Sequence, residues 1–155
     1  MTAFANWLAQ TPASTWVASH EWVIPTVQSI HIVAISIALV SAYMILFRVL
    51  GWVGADQSLD ETMRRFWPWL FGALVVLLVT GLVMVLGEPA RELLAFSFWS
   101  KMTLIVLGTL LTWLAGRTAV KPLGVLTLFI WIGIIFLGRL IAYDHIWGSW
   151  SGSKA

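Results

Sequence analysis

The sequence predicts an all-α integral membrane protein: a four-helix bundle preceded by an N-terminal interfacial segment. Three observations predict it. Hydrophobic residues make up 60% of the 155-residue chain and charged residues only 10%, where soluble domains carry about 25%. Four apolar runs approach or exceed the roughly 20 residues that cross a bilayer. Tryptophan, with 11 copies, gathers near the ends of those runs, where aromatic belts meet headgroups. The lipid bilayer is therefore the first partner. No basic stripe, glycine-rich phosphate loop or metalloprotease helix is present, so no nucleic-acid partner is expected. The absence of cysteine excludes disulfides, thiolate metal sites and iron–sulfur clusters.

Residues 1–20 form the interfacial segment. Phe4, Trp7 and Leu8 fall at i, i+3 and i+4, which suits one short amphipathic turn or helix on the membrane surface, ended by Pro12. An alternative use of these aromatics is a lid or a docking surface for a partner. No Lys or Arg precedes Arg48, so the charged start of a signal peptide is missing and the segment is expected to be retained.

Residues 21–146 form the four-span domain. The first span runs from about Trp22 to Leu50, with Pro25 in its first turn, where no helical N–H is lost. Gly51 and Gly54 end it. Ser58 or Asp60 is placed to cap a short amphipathic piece leading to Arg64 and Arg65. The second span is read as about Trp67 to Gly87, the third as about Phe98 to Ala115, and the fourth as about Leu123 to Tyr143. Glu88–Pro89 punctuates the second connection, and Gly116, Arg117 and Lys121–Pro122 mark a tight third one. Residues 147–155 are a polar tail.

Four spans put both termini on one side. The two short connections opposite them hold Arg48, Arg64, Arg65, Arg117 and Lys121, against Arg91 and Lys154 in the loops of the terminal side. The positive-inside rule then places those connections in the cytoplasm. In a bacterial inner membrane both termini would be periplasmic.

His31 is the anomaly in the first span. Ionisable groups are costly in hydrocarbon and usually face the bundle interior with a task. It lies roughly 9–13 Å deep at about 1.5 Å per residue. Lys101 and Arg139 are near the same ends of the third and fourth spans, and His20 and His145 lie at that surface. The acids on this side, Glu21, Glu88, Glu92 and Asp144, stand at the rim. Gln28 shares a helix face with His31 and is placed to bond the free ring nitrogen. A buried imidazole with cations and no partner acid is a poor proton relay. It suits haem b, with His31 on iron and Lys101 and Arg139 on the propionates. The second axial position stays open between His145, His20, Met102, Lys101 and none. The competing reading is a plain interhelical hydrogen bond from His31, with the two cations snorkelling to headgroups.

The stretch QSIHIVAISIALVSAYMILFRVLG, then RRFWPW, Thr80–Gly81, the Phe98, Lys101, Met102 pattern and WIGIIFLGRLIAY occur in order. This set resembles an uncharacterised family of four-helix bacterial inner-membrane proteins, a domain of unknown function. Where that family carries an acid before the first-helix arginine, this chain has Leu46–Phe47. The family is distantly similar to the copper-resistance CopD membrane proteins and to the HemJ-type protoporphyrinogen oxidase. In the latter, a first-helix histidine and a third-helix lysine accompany haem b, which implies His31 and Lys101 here. The C-terminal motif and further histidines of HemJ are missing, so its enzyme activity is not carried over.

The function expected is a b-type haem-binding membrane protein in electron transfer, serving a periplasmic or membrane redox partner, with a quinone as a further candidate. The alternative is a non-catalytic accessory subunit of a larger membrane complex. A transporter or metal-handling role, by analogy with CopD, has only three histidines and five methionines behind it. An enzyme would need a proton-accepting group, and the spans offer His31 alone.

Overall fold

The structure, a computed structural model, describes residues 2–142 apart from Ala55, without the side chains of Ser97 and residues 139–142. Seven helices follow in order among them: α1 (Thr2–Ala9), α2 (Pro12–Ser19), α3 (Val23–Leu50), α4 (Leu59–Gly87), α5 (Pro89–Leu94), α6 (Phe96–Thr118) and α7 (Lys121–Ala142). The fold is all-α, and α3, α4, α6 and α7 contain four stretches long and apolar enough to cross a membrane. Large apolar side chains such as Val40, Leu78, Leu110 and Phe136 point outward and exposed from these helices. In water that surface would be prohibitively unfavourable; in a bilayer it is the solvated face. The chain is a multi-pass membrane protein.

Local sequence explains the helix ends. Pro12 does not stop a helix; it starts α2, where its missing N–H costs nothing. Thr11 caps that helix by accepting from the Ser14 N–H. Residues 2–19 therefore hold two short helices, where the spacing of Phe4, Trp7 and Leu8 predicts one. Gly51 ends α3 in the left-handed region at φ 79°, with its N–H on the Arg48 carbonyl.

The second span also begins earlier than Trp67. Ser58 and Glu61 form a reciprocal capping box, and α4 runs unbroken from Leu59. Pro68 lies inside this helix and is accommodated there. The amphipathic piece and the span are one element, because a strong cap at Ser58 starts a helix that nothing later breaks. At the other connection α6 continues through Gly116 to Thr118, and Ala119 makes the reversal at φ 55°.

The bundle is two helical hairpins, α3 with α4 and α6 with α7, joined mainly by α3 against α7 and α6. Ala38, Ala42, Leu46 and Val49 of α3, Leu70 and Ala73 of α4, Ala115 of α6, and Trp131 and Ile134 of α7 form the core. The alanines let backbones approach, which drives association where lipid is as apolar as leucine. Gly108 does the same beneath Trp131: a Cβ there would stand 3.5 Å from the indole.

A polar pair locks the second hairpin. The buried Trp131 indole N–H donates to Thr112 Oγ1 at 3.0 Å, and that hydroxyl donates to the Gly108 carbonyl at 2.7 Å. Thr112→Val keeps the shape and leaves the indole N–H without an acceptor. A loss of about 1 kcal/mol in detergent unfolding is expected, with Thr112→Ser close to wild type.

Candidate functional site

His31 lies on the face of α3 that carries Ala34, Ala38, Ala42 and Leu46, so it turns toward the bundle and not to lipid. Its Nδ1 is 2.6 Å from Thr80 Oγ1 on α4. The same hydroxyl is 2.7 Å from the carbonyl of Val76 in its own helix. A threonine has one hydroxyl proton. With that proton on the carbonyl, all three groups are satisfied only if the ring donates. With the hydroxyl donating to Val76, the ring proton sits on Nδ1 and the Nε2 lone pair is free. A neutral imidazole held by one nitrogen with the other free is the form that binds a metal. The ring edge at Cε1 faces Gly81, where a Cβ would stand 3.8 Å away.

Lys101 sits in the first turns of α6. Its Nζ lies beside Gly138 of α7, 3.6 Å from where a Cβ would be. Its charge acts on the His31 ring and on the carboxyl of Glu92 in α5. The structure thus brings together His31, Thr80, Lys101 and Glu92 at the end of the bundle where α3 begins. Thr80 stands in the sequence reading only as part of the Thr80–Gly81 pair, and Glu92 only as an acid at the rim of this side. Burial pushes the Glu92 carboxyl up from its ordinary range, while Arg91 and Lys101 pull it down and Glu88 adds to the rise. The neighbouring Arg91 is committed to Glu88 at 2.5 Å.

The other candidates fare differently. Gln28 is exposed and makes no hydrogen bond to His31 among the described residues; Thr80 holds the ring in its place. A threonine on the facing helix meets the ring directly, whereas the Gln28 side chain, on the same face three residues earlier, is exposed. His20 is engaged at the end of α2, with Nδ1 2.7 Å from the Trp16 carbonyl and its ring against Trp16. The Arg139 side chain, His145 and the polar tail lie outside the described residues. No group of three or more His, Cys, Asp or Glu side chains fit to hold a metal ion occurs among the described residues. An apolar groove of about 770 Å³ runs between α3 and α4, lined by Ile30, Val33, Ala34, Gly72, Ala73 and Val76. His31 is not among the residues that line it.

Fold and site define a multi-pass helical membrane protein with a half-buried histidine anchored through one ring nitrogen and within electrostatic reach of a lysine. No family model, curated protein or solved structure matches the chain.

Nitrogen-15 spectra of the histidine-labelled protein will show His31 as the Nδ1–H tautomer, and Thr80→Val will mix the two tautomers. A wild-type Nε2–H signal would contradict the assignment. Glu92 sets a second expectation. Its carboxyl holds a proton more tightly folded than unfolded. Its contribution is therefore fully present below the ordinary carboxylate pKa and is lost as pH rises through the raised folded value. The thermal midpoint in detergent should fall across that window in wild type and fall less in Glu92→Gln.

Proposed function

We propose that this chain is a b-type haem-binding membrane protein that transfers electrons, as a subunit serving a periplasmic or membrane redox partner. The observation that supports it is the His31–Thr80 bond, which orients the ring and leaves Nε2 for iron. The residues fit this group better than a bare ion. A structural metal site needs about four protein donors, and no such cluster stands among the described residues. A porphyrin brings four nitrogens of its own and asks the protein for one or two axial ligands. Lys101, within electrostatic reach of the ring, would neutralise a propionate. Arg139, next in sequence to the glycine that Lys101 touches, is the second candidate for that role. When bound, haem supplies one-electron redox chemistry; the chain's part is to hold the ring, fix its tautomer and supply positive charge.

The setting proposed is a bacterial inner membrane with both termini periplasmic, on the strength of the basic residues in the two connections at the opposite end. A quinone dissolved in the bilayer is a candidate electron partner beside a periplasmic protein.

A second reading has its own observation. The His31–Thr80 bond joins two helices and by itself explains a histidine in a span. On that reading the chain is an accessory subunit of a larger membrane complex and carries no cofactor. Absorbance separates the two. The haem reading expects a Soret band in protein purified from a haem-replete membrane, lost in His31→Ala and shifted in Thr80→Val. A colourless wild-type protein whose stability drops equally in both variants would establish the accessory reading instead.

A further inference from the structure

We infer that α1 and α2 form a clamped in-plane anchor that lies in the lipid–water interface at the end of the bundle where α3 begins, with phospholipid headgroups as its partner. This inference does not depend on whether haem binds. The clamp is built from three contacts. Ser14 Oγ donates to the Leu86 carbonyl near the end of α4 at 2.6 Å. Gly87 leaves room for Ile24 and Val17; a Cβ there would stand 2.6 Å from Ile24 Cδ1 and 3.5 Å from Val17 Cγ1. Ala5 is fully buried, and α1 packs against α5. The Ser14 bond removes a helix-end carbonyl from the lipid interface, where leaving it unpaired is costly. A segment tied this way does not swing as a lid.

With its inner faces occupied, the hairpin presents Phe4, Trp7 and Trp16 outward. Trp7 is 61% exposed and stacks with Phe4 at 5.7 Å between centroids. Two further facts choose the occupant. The patch is continuous with the membrane surface, because Trp22 at the start of α3 and Phe96 and Trp99 at the start of α6 are exposed at the same end. Residues 2–19 carry no charged side chain, so no charge within them opposes burial of the patch in the headgroup region. The indole N–H groups of Trp7, Trp16 and Trp22 have no protein acceptor among the described residues, whereas Trp99 donates to Leu93 and Trp131 to Thr112. Exposed indoles that need both an apolar bed and a hydrogen-bond acceptor match the headgroup level of a bilayer.

The absence of cysteine makes the test clean. Single variants Trp7→Cys, Trp16→Cys, Asn6→Cys and Thr15→Cys of the full chain, spin-labelled in phospholipid nanodiscs, are read for collision with oxygen and with an aqueous nickel chelate. Asn6 and Thr15 are exposed on other faces of the same helices. The inference expects an oxygen-to-nickel accessibility ratio several-fold higher at positions 7 and 16 than at 6 and 15. Labels at 7 and 16 that are as open to nickel as those at 6 and 15 overturn it. Labels at 7 and 16 shielded from both reagents also overturn it, because protein then covers the patch. The two tryptophan positions are read independently, so one variant that fails to fold leaves the other to decide.

Discussion

A polar group inside a bilayer has no water to fall back on, and among the described residues His31 and Trp131 are each answered by a threonine on the partner helix. The two hairpins use the same device. In α3–α4 the donor is the His31 ring and in α6–α7 it is the Trp131 indole; in both, the acceptor is a threonine whose own proton is spent on a carbonyl one turn earlier. Because the threonine donates backward, it can only accept forward. That fixes which atom of the partner must carry hydrogen. For Trp131 this merely satisfies an N–H. For His31 it selects a tautomer, and a structural lock becomes a ring with one nitrogen held and the other unspent.

The surrounding charges follow from where the helices end. Lys101 lies in the second turn of α6 with its ammonium beside Gly138 of α7, which leaves space for it. Glu92 is carried on a helix of only six residues, between Glu88 and Ala95, that turns back at the bundle end. The short connection therefore does more than join two spans. It brings a half-buried carboxyl toward a cation that the spans themselves leave without an acid, and its burial raises the cost of ionising that carboxyl. The α1–α2 hairpin packs on this same corner through Ser14 and Ala5, so the end of the bundle that holds His31 and Glu92 is also the one with an added layer of helix.

Helix ends were partly legible. Gly51 and Pro25 act as their chemistry predicts. Pro12 marks a boundary, after the end of α1 and at the first residue of α2, and Trp67 lies inside α4 because the Ser58–Glu61 box starts that helix earlier. Thr80 gave no signal. It is 49 residues from His31, and a threonine inside a helix usually does no more than bond its own backbone. Gln28 looked the better partner because only neighbours on one helix can be paired by spacing. Glu92 was visible as a rim acid, but the direction in which α5 carries it is not encoded in any local pattern.

The chain's apolar content and periodic interruption by itself determined a multi-pass helical bundle, the approximate spans and the oddity of a histidine in the first of them. Those properties follow from the length of hydrocarbon to be crossed and from the cost of charge within it, which act on each segment separately. Which side chain His31 meets, which nitrogen is left free and which acid approaches Lys101 were decided only by the tertiary structure. They depend on how one helix is rotated and shifted against another, and that register comes from packing small residues across the whole interface.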